Sequence, residues 1–134
     1  MPVLNHVFVD YQNMTNVDSA IFALRRTTVT LLLGRQNHSL DSTQVRRLMS
    51  GSTSVELIRV DKDGKNAVDF ALAYYLGRKT VADPMTFFHV VSKDKGFDAL
   101  IEHLKDRQIK IRRHDDFGSL LDALQSKPAL GKKK

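Results

Sequence analysis

Five short apolar runs recur along the chain, HVFVD (6–10), TVTLLLG (28–34), SVELIRV (54–60), TFFHVVS (86–92) and IKIRR (109–113), with stretches of helical spacing between most of them. Few folds accommodate that pattern. Runs of this length rich in Val, Ile, Leu and Phe read as strands. Most lack polar alternation, so both of their faces are expected to be buried, as in a parallel sheet covered on both sides. The intervening segments supply the cover. MTNVDSAIFALRR (14–26) reads as a helix, and Ser42 is placed to cap a short one through TQVRRLMS. Asn66 to Arg78 sets Val68, Leu72 and Tyr75 on one helical face, with Gly77 as the expected stop. KGFDALIEHLKDR (95–107) sets Phe97, Leu100, Ile101 and Leu104 at helical spacing, and DDFGSLLDALQS opens a last helix for which Asp115 and Asp116 are the expected caps. The fold class predicted is α/β, a three-layer α/β/α sandwich around a mainly parallel five-stranded sheet. Right-handed crossovers restrict the topology to a few doubly wound orders.

With 134 residues the chain has the length of one domain, expected over 1–127 with a basic tail at 128–134. It has no cysteine, which excludes disulfides, thiol catalysis and cysteine zinc sites. The five histidines are scattered, and no pair is spaced to form a zinc face on one helix. No apolar run approaches the roughly 18 residues of a membrane helix. The start, MPVLNHVFVDYQN, lacks the basic and apolar regions of a secretory signal, so a cytoplasmic location is expected. Net charge is +6 and the pI about 9.7, which favours a polyanionic partner. Lys132, Lys133 and Lys134 supply three of those charges, leaving about +3 without them.

In doubly wound sheets the functional crevice lies beyond the carboxyl ends of the strands, where the winding reverses. The residues just past those ends are Asp10, Gly34, Asp61 and Asp63, then Ser92 and Asp94. Asp69 falls in the first turn of the helix after the third strand, and Asp98 lies one turn beyond Asp94. In the order 3-2-1-4-5, strands one and four are neighbours at the switch point, and Asp10 and Asp94 converge with Asp69 nearby. Taken singly, each Asp at such a junction is accounted for by helix capping or by the helix dipole. Three acids on separate segments at one end of a sheet call for more, because close carboxylates repel one another unless a proton or a cation intervenes. Mg²⁺ binds through one or two carboxylates and keeps waters, which suits an open acidic crevice.

FVDYQN, KNAVDFALAYYLGR and VVSKDKGFDALIEHLKDRQIKIRR, in that order, resemble the PIN-like nuclease superfamily, most closely its NYN branch, over residues from about 6 to 114. The resemblance implies a sheet of order 3-2-1-4-5 and a metal-dependent endoribonuclease using Mg²⁺ or Mn²⁺ on RNA, single-stranded RNA above all. It assigns Asp10, Asp69 and Asp94 to catalysis and metal binding, with Asn13, Asn66 and Ser92 in support. Gly96 stands where the pattern S-x-D-x-D-F has its second Asp, Tyr75 where many relatives carry an acid, and Asn66 where a Lys is common. Asp98 is a candidate to replace the missing charge as a metal ligand, or it faces solvent.

Lys62, Lys65, Arg78 and Lys79 flank the third helical segment and Lys93 and Lys95 bracket Asp94, so Lys65, Arg78, Lys93 and Lys95 are the candidates for contacts to RNA phosphates. Tyr11 and Tyr74 are candidates for stacking on bases, or for the core or its rim. No membrane partner is implied, and a homodimer is compatible with this reading. Two other readings compete: a PIN-like module that binds RNA or protein through a degraded metal site, and a phosphorelay receiver with Asp10, Asp61 and Ser92 as its site. A receiver would place strand three beside strand one, so strand order separates it from the PIN-like reading.

Overall fold

The computed structural model describes residues 3–11, 19–34, 51–62, 64 and 66–125. Five strands, β1 (Asn5–Asp10), β2 (Thr27–Leu33), β3 (Ser54–Arg59), β4 (Phe87–Val91) and β5 (Ile111–His114), form one sheet in the order β3-β2-β1-β4-β5. All four pairings are parallel. The architecture is therefore the expected one, and because β3 lies beside β2 and not β1, the receiver topology is excluded.

The helices are α1 (Ala67–Ala82), α2 (Asp98–Asp106) and α3 (Phe117–Gln125), with short 3-10 turns at Ser19–Ala23 and Lys95–Phe97. Among the described residues, the helix expected over 14–26 is represented by the first of these 3-10 turns. The short helix expected after Ser42 lies outside the described residues, as do Asn13, Asp63 and Lys65. No described helix is long and apolar enough to cross a membrane.

Side-chain alternation along the strands divides the core in two. Val7, Val9, Val29, Leu31 and Val91 pack with Ile21, Phe22, Phe117 and Leu120 on one face. Phe8, Leu32, Phe88 and Val90 pack with Val68, Leu72 and Leu76 of α1 and Ile101 of α2 on the other. β1 is thus covered on both sides and flanked on both edges, which makes it the most enclosed element.

Gly77 does not end α1, contrary to expectation: the helix continues to Ala82. Its buried stripe is Val68, Leu72, Leu76 and Thr80, so the apolar face continues past the glycine, and the Thr80 hydroxyl donates to the Gly77 carbonyl at 2.9 Å. The stop comes at Pro84, since the residue before a proline disfavours the helical conformation. Asp83 occupies that position and its N–H closes the helix on the Lys79 carbonyl.

Three histidines are buried in the sheet layer: His6, His89 and His114. His6 lies between the hydroxyls of Thr28 and Thr30 on β2. His89 and His114 form a chain across the other face. Asn5 Oδ1 accepts from His89 Nε2 at 2.9 Å, the two imidazoles meet at 3.0 Å, and the Ser119 hydroxyl donates to His114 Nδ1 at 3.0 Å. With both rings neutral, one proton on each Nε2 satisfies the whole chain. Burial, the dominant cause in each case, lowers His6 and His114 to about 4 and His89 to about 3. In the unfolded chain these groups titrate near 6.5. Between the two values the unfolded state holds more protons, so stability falls as pH falls. The urea midpoint is expected to drop steadily from pH 7 to pH 5, each histidine contributing up to roughly 1.4 kcal/mol per pH unit. A midpoint constant over that range would show that the rings are not buried neutral.

Candidate active site

Strand register builds the site. Val9 of β1 pairs with Val91 of β4, so the next residues, Asp10 and Ser92, emerge side by side at the carboxyl end of the sheet. Asp10 is 0% exposed. A carboxylate removed from water needs hydrogen-bond donors, and the Ser92 hydroxyl donates to Asp10 Oδ2 at 2.8 Å. The same Ser92 oxygen accepts the backbone N–H of Asp94 at 3.0 Å. Ser92 therefore ties the first acid to the loop that carries the second.

Asp94 caps the 3-10 turn, its Oδ1 accepting from the Gly96 N–H at 2.8 Å. A Cβ at position 96 would stand 2.9 Å from that oxygen. The glycine that departs from the family pattern thus permits the carboxylate to fold back onto its own turn, and any side chain there would displace it.

Asp69 lies in the first turn of α1 and points at the same place. Its carboxyl and that of Asp94 line one pocket and influence each other's titration in opposite directions. Partial burial, then the Asp94 contact and the charges of Asp94 and Asp10, raise Asp69 to about 7. The Gly96 N–H, the bond from Asp69 and the charge of Arg113 lower Asp94. The two opposite shifts place a proton held between the carboxyls on Asp69 rather than on Asp94. Both acids wall a pocket of about 320 Å³ that also includes Asn66, Phe70, Ala73 and Phe97.

The remaining candidates occupy different surroundings. Asn66 sits at the start of α1 without a side-chain capping bond and lines that pocket. Asp98 is 52% exposed and accepts from Arg113 Nε at 2.7 Å. Arg113 Nη1 also donates to the Ser92 carbonyl at 2.9 Å and to Asp115 at 2.5 Å. Two carboxylates therefore hold a guanidinium against the backbone of the residue that supports Asp10, and that arginine was not singled out in the sequence. Its position on the last strand was the available sign. Asp116 accepts the Ser119 N–H at 2.8 Å and caps α3, as expected of it, while Asp115 pairs with Arg113.

Lys93 and Lys95 are exposed around the Asp94 loop. Arg78 is exposed farther along α1, against Tyr74. Tyr11 is buried, whereas Tyr74 is open to solvent. Tyr75 faces a second cavity, of about 300 Å³, with His6 and Phe8, so the position where relatives carry an acid points away from Asp69 here.

A five-stranded parallel sheet in this order with flanking helices is that of a PIN-like α/β fold. The sequence model of the PIN domain matches residues 4–114, and the chain belongs to that family. No curated protein matches it.

Every candidate donor atom is a carboxylate oxygen, the type that a hard divalent cation prefers. Among the described residues, no group of three or more His, Asp or Glu is placed to hold a metal ion. The ionised Asp69 is the unfavourable partner of the pair. Because its folded pKa is raised, its contribution to stability is present at low pH and is lost as pH rises through about 7. Asp69→Asn is therefore expected to melt above the wild type at pH 8 in EDTA and to converge with it at pH 5. Equal melting temperatures at pH 8 would show that the two carboxyls do not interact.

Proposed function

We propose that this PIN domain is a metal-dependent endoribonuclease of the NYN type that hydrolyses phosphodiester bonds in single-stranded RNA. The observation that carries the reading is that Asp69 and Asp94 line one open pocket while Ser92 ties the Asp94 loop to the buried Asp10, since ionised acids brought together there repel unless a proton or a cation intervenes. Asp10, Asp69 and Asp94 would hold Mg²⁺ or Mn²⁺. When bound, such an ion supplies a water of lowered pKa and neutralises charge developing on a phosphate.

The chain's own groups prepare that chemistry. Ser92 fixes the orientation of Asp10, and Gly96 with Ser92 fixes Asp94. Arg113 holds the loop between them, with Asp98 serving as its anchor. Lys93 and Lys95, with Lys65 and Arg78, supply positive charge for the RNA backbone. No side chain is assigned as a nucleophile.

Two measurements test this. Mn²⁺ or Mg²⁺ should raise the melting temperature of the wild type, by about 2.7 kcal/mol of stabilisation at a hundredfold excess over Kd, and should leave Asp69→Asn unmoved. Cleavage of unstructured RNA should require the ion and fall by about a hundredfold or more in Asp10→Asn, Asp69→Asn and Asp94→Asn. Cleavage that survives EDTA, or all three substitutions, would refute the mechanism. The non-catalytic alternative, an RNA- or protein-binding module, draws support from Gly96, which leaves the pocket one carboxylate short of the family pattern. It predicts RNA binding without metal-dependent cleavage.

A further inference from the structure

The outer face of α1 carries large apolar side chains that packing does not require. Phe70 is 73% exposed and Tyr74 58%, on the side of the helix opposite the buried stripe of Val68, Leu72 and Leu76. Single exposed hydrophobic residues are common and need no explanation. Three observations set this pair apart. Phe70 lines the same pocket as Asp69 and Asp94. Tyr74, one turn on, has its ring held, edge to face with Tyr75 at 5.0 Å. Arg78, a further turn on, lies over that ring with its Cζ 5.6 Å from the centroid, and its Nη1 is 3.5 Å from the phenol oxygen. Residues four apart on a helix rise about 6 Å per step. The result is a row leading away from the acidic pocket, of two aromatic faces followed by a cation.

We propose that Phe70 and Tyr74 are a stacking platform for unpaired nucleobases, along which a single strand runs to or from the Asp69–Asp94 pocket, with Arg78 taking a phosphate. The proposal rests on the nuclease reading and gives that site its preference for single strands. The occupant follows from chemistry. Aromatic rings accept any base face, so such a row binds nucleic acid without reading its sequence. Base faces are available only in an unpaired strand. The net charge of +6, together with Arg78, favours a polyanion on this face over a second copy of the same basic chain.

The chain contains no tryptophan, so Phe70→Trp introduces a single fluorophore at the pocket mouth. In EDTA, titration with unpaired oligouridylate or oligoadenylate should quench its emission, and a duplex of equal length should not. Phe70→Ala and Tyr74→Ala should each weaken single-strand binding by roughly five- to a hundredfold at unchanged melting temperature. Phe70→Tyr should retain binding and Phe70→Leu should lose it, which separates stacking from apolar contact. Alanine variants that bind as tightly as the wild type overturn the proposal. So does a change in self-association, by sedimentation, with RNA affinity unaltered, since the face would then join two copies. Binding in EDTA is read apart from cleavage: Phe70-dependent binding without cleavage in Mn²⁺ overturns the nuclease reading and leaves the platform standing. Cleavage without any effect of Phe70 or Tyr74 does the reverse.

Discussion

The hydrogen bond from the Ser92 hydroxyl to Asp10 is the contact around which the candidate site is arranged. Asp10 ends the central strand with no exposed surface, a position that an ionised carboxylate tolerates only with hydrogen-bond donors supplied to it. The donor comes from a residue 82 positions away, and it arrives because β1 and β4 pair in parallel with Val9 opposite Val91. A slip of one residue would turn Ser92 to the other face and leave the carboxylate without this donor. The same oxygen receives the Asp94 N–H, so the strand pairing also determines where the second acid stands.

The acids at this end of the sheet divide by what already engages them. Asp98 and Asp115 hold Arg113, and Asp116 caps α3. Asp69 and Asp94 face each other's influence at one pocket wall instead of holding a cationic side chain of that kind among the described residues. Asp94 does two things at once, since one of its oxygens caps the turn at Lys95–Phe97 while the carboxyl still meets Asp69. Capping and a role at the crevice are therefore compatible at that hinge. The histidines and Asp69 respond to pH in opposite senses, because burial keeps the imidazoles unprotonated and keeps Asp69 protonated.

The strands and the layered α/β class were legible in the linear sequence, and the strand order followed from the resemblance to the PIN-like superfamily. The first two depend on local signals: unbroken apolar runs stopped by a polar residue, and helical spacing. The end of α1 was misread because a glycine inside a helix is a weak stop when the apolar stripe continues, here to Thr80, and proline is a strong one. Phe70 could have been noticed, since it falls outside the Val68 and Leu72 phase, but its place at the pocket mouth depends on where the Asp94 loop lands.

The sequence by itself determined which residues end the strands and which faces of the helices turn inward, because period and polarity act over a few residues. Only the tertiary structure decided how each acid is used. Arg113 engages Asp98 across 15 residues, Gly96 makes room for the Asp94 carboxylate, and Asn5, His89, His114 and Ser119 join into one buried chain. These outcomes depend on distances of about 3 Å between separate elements, which strand register and crossover set and no local pattern encodes.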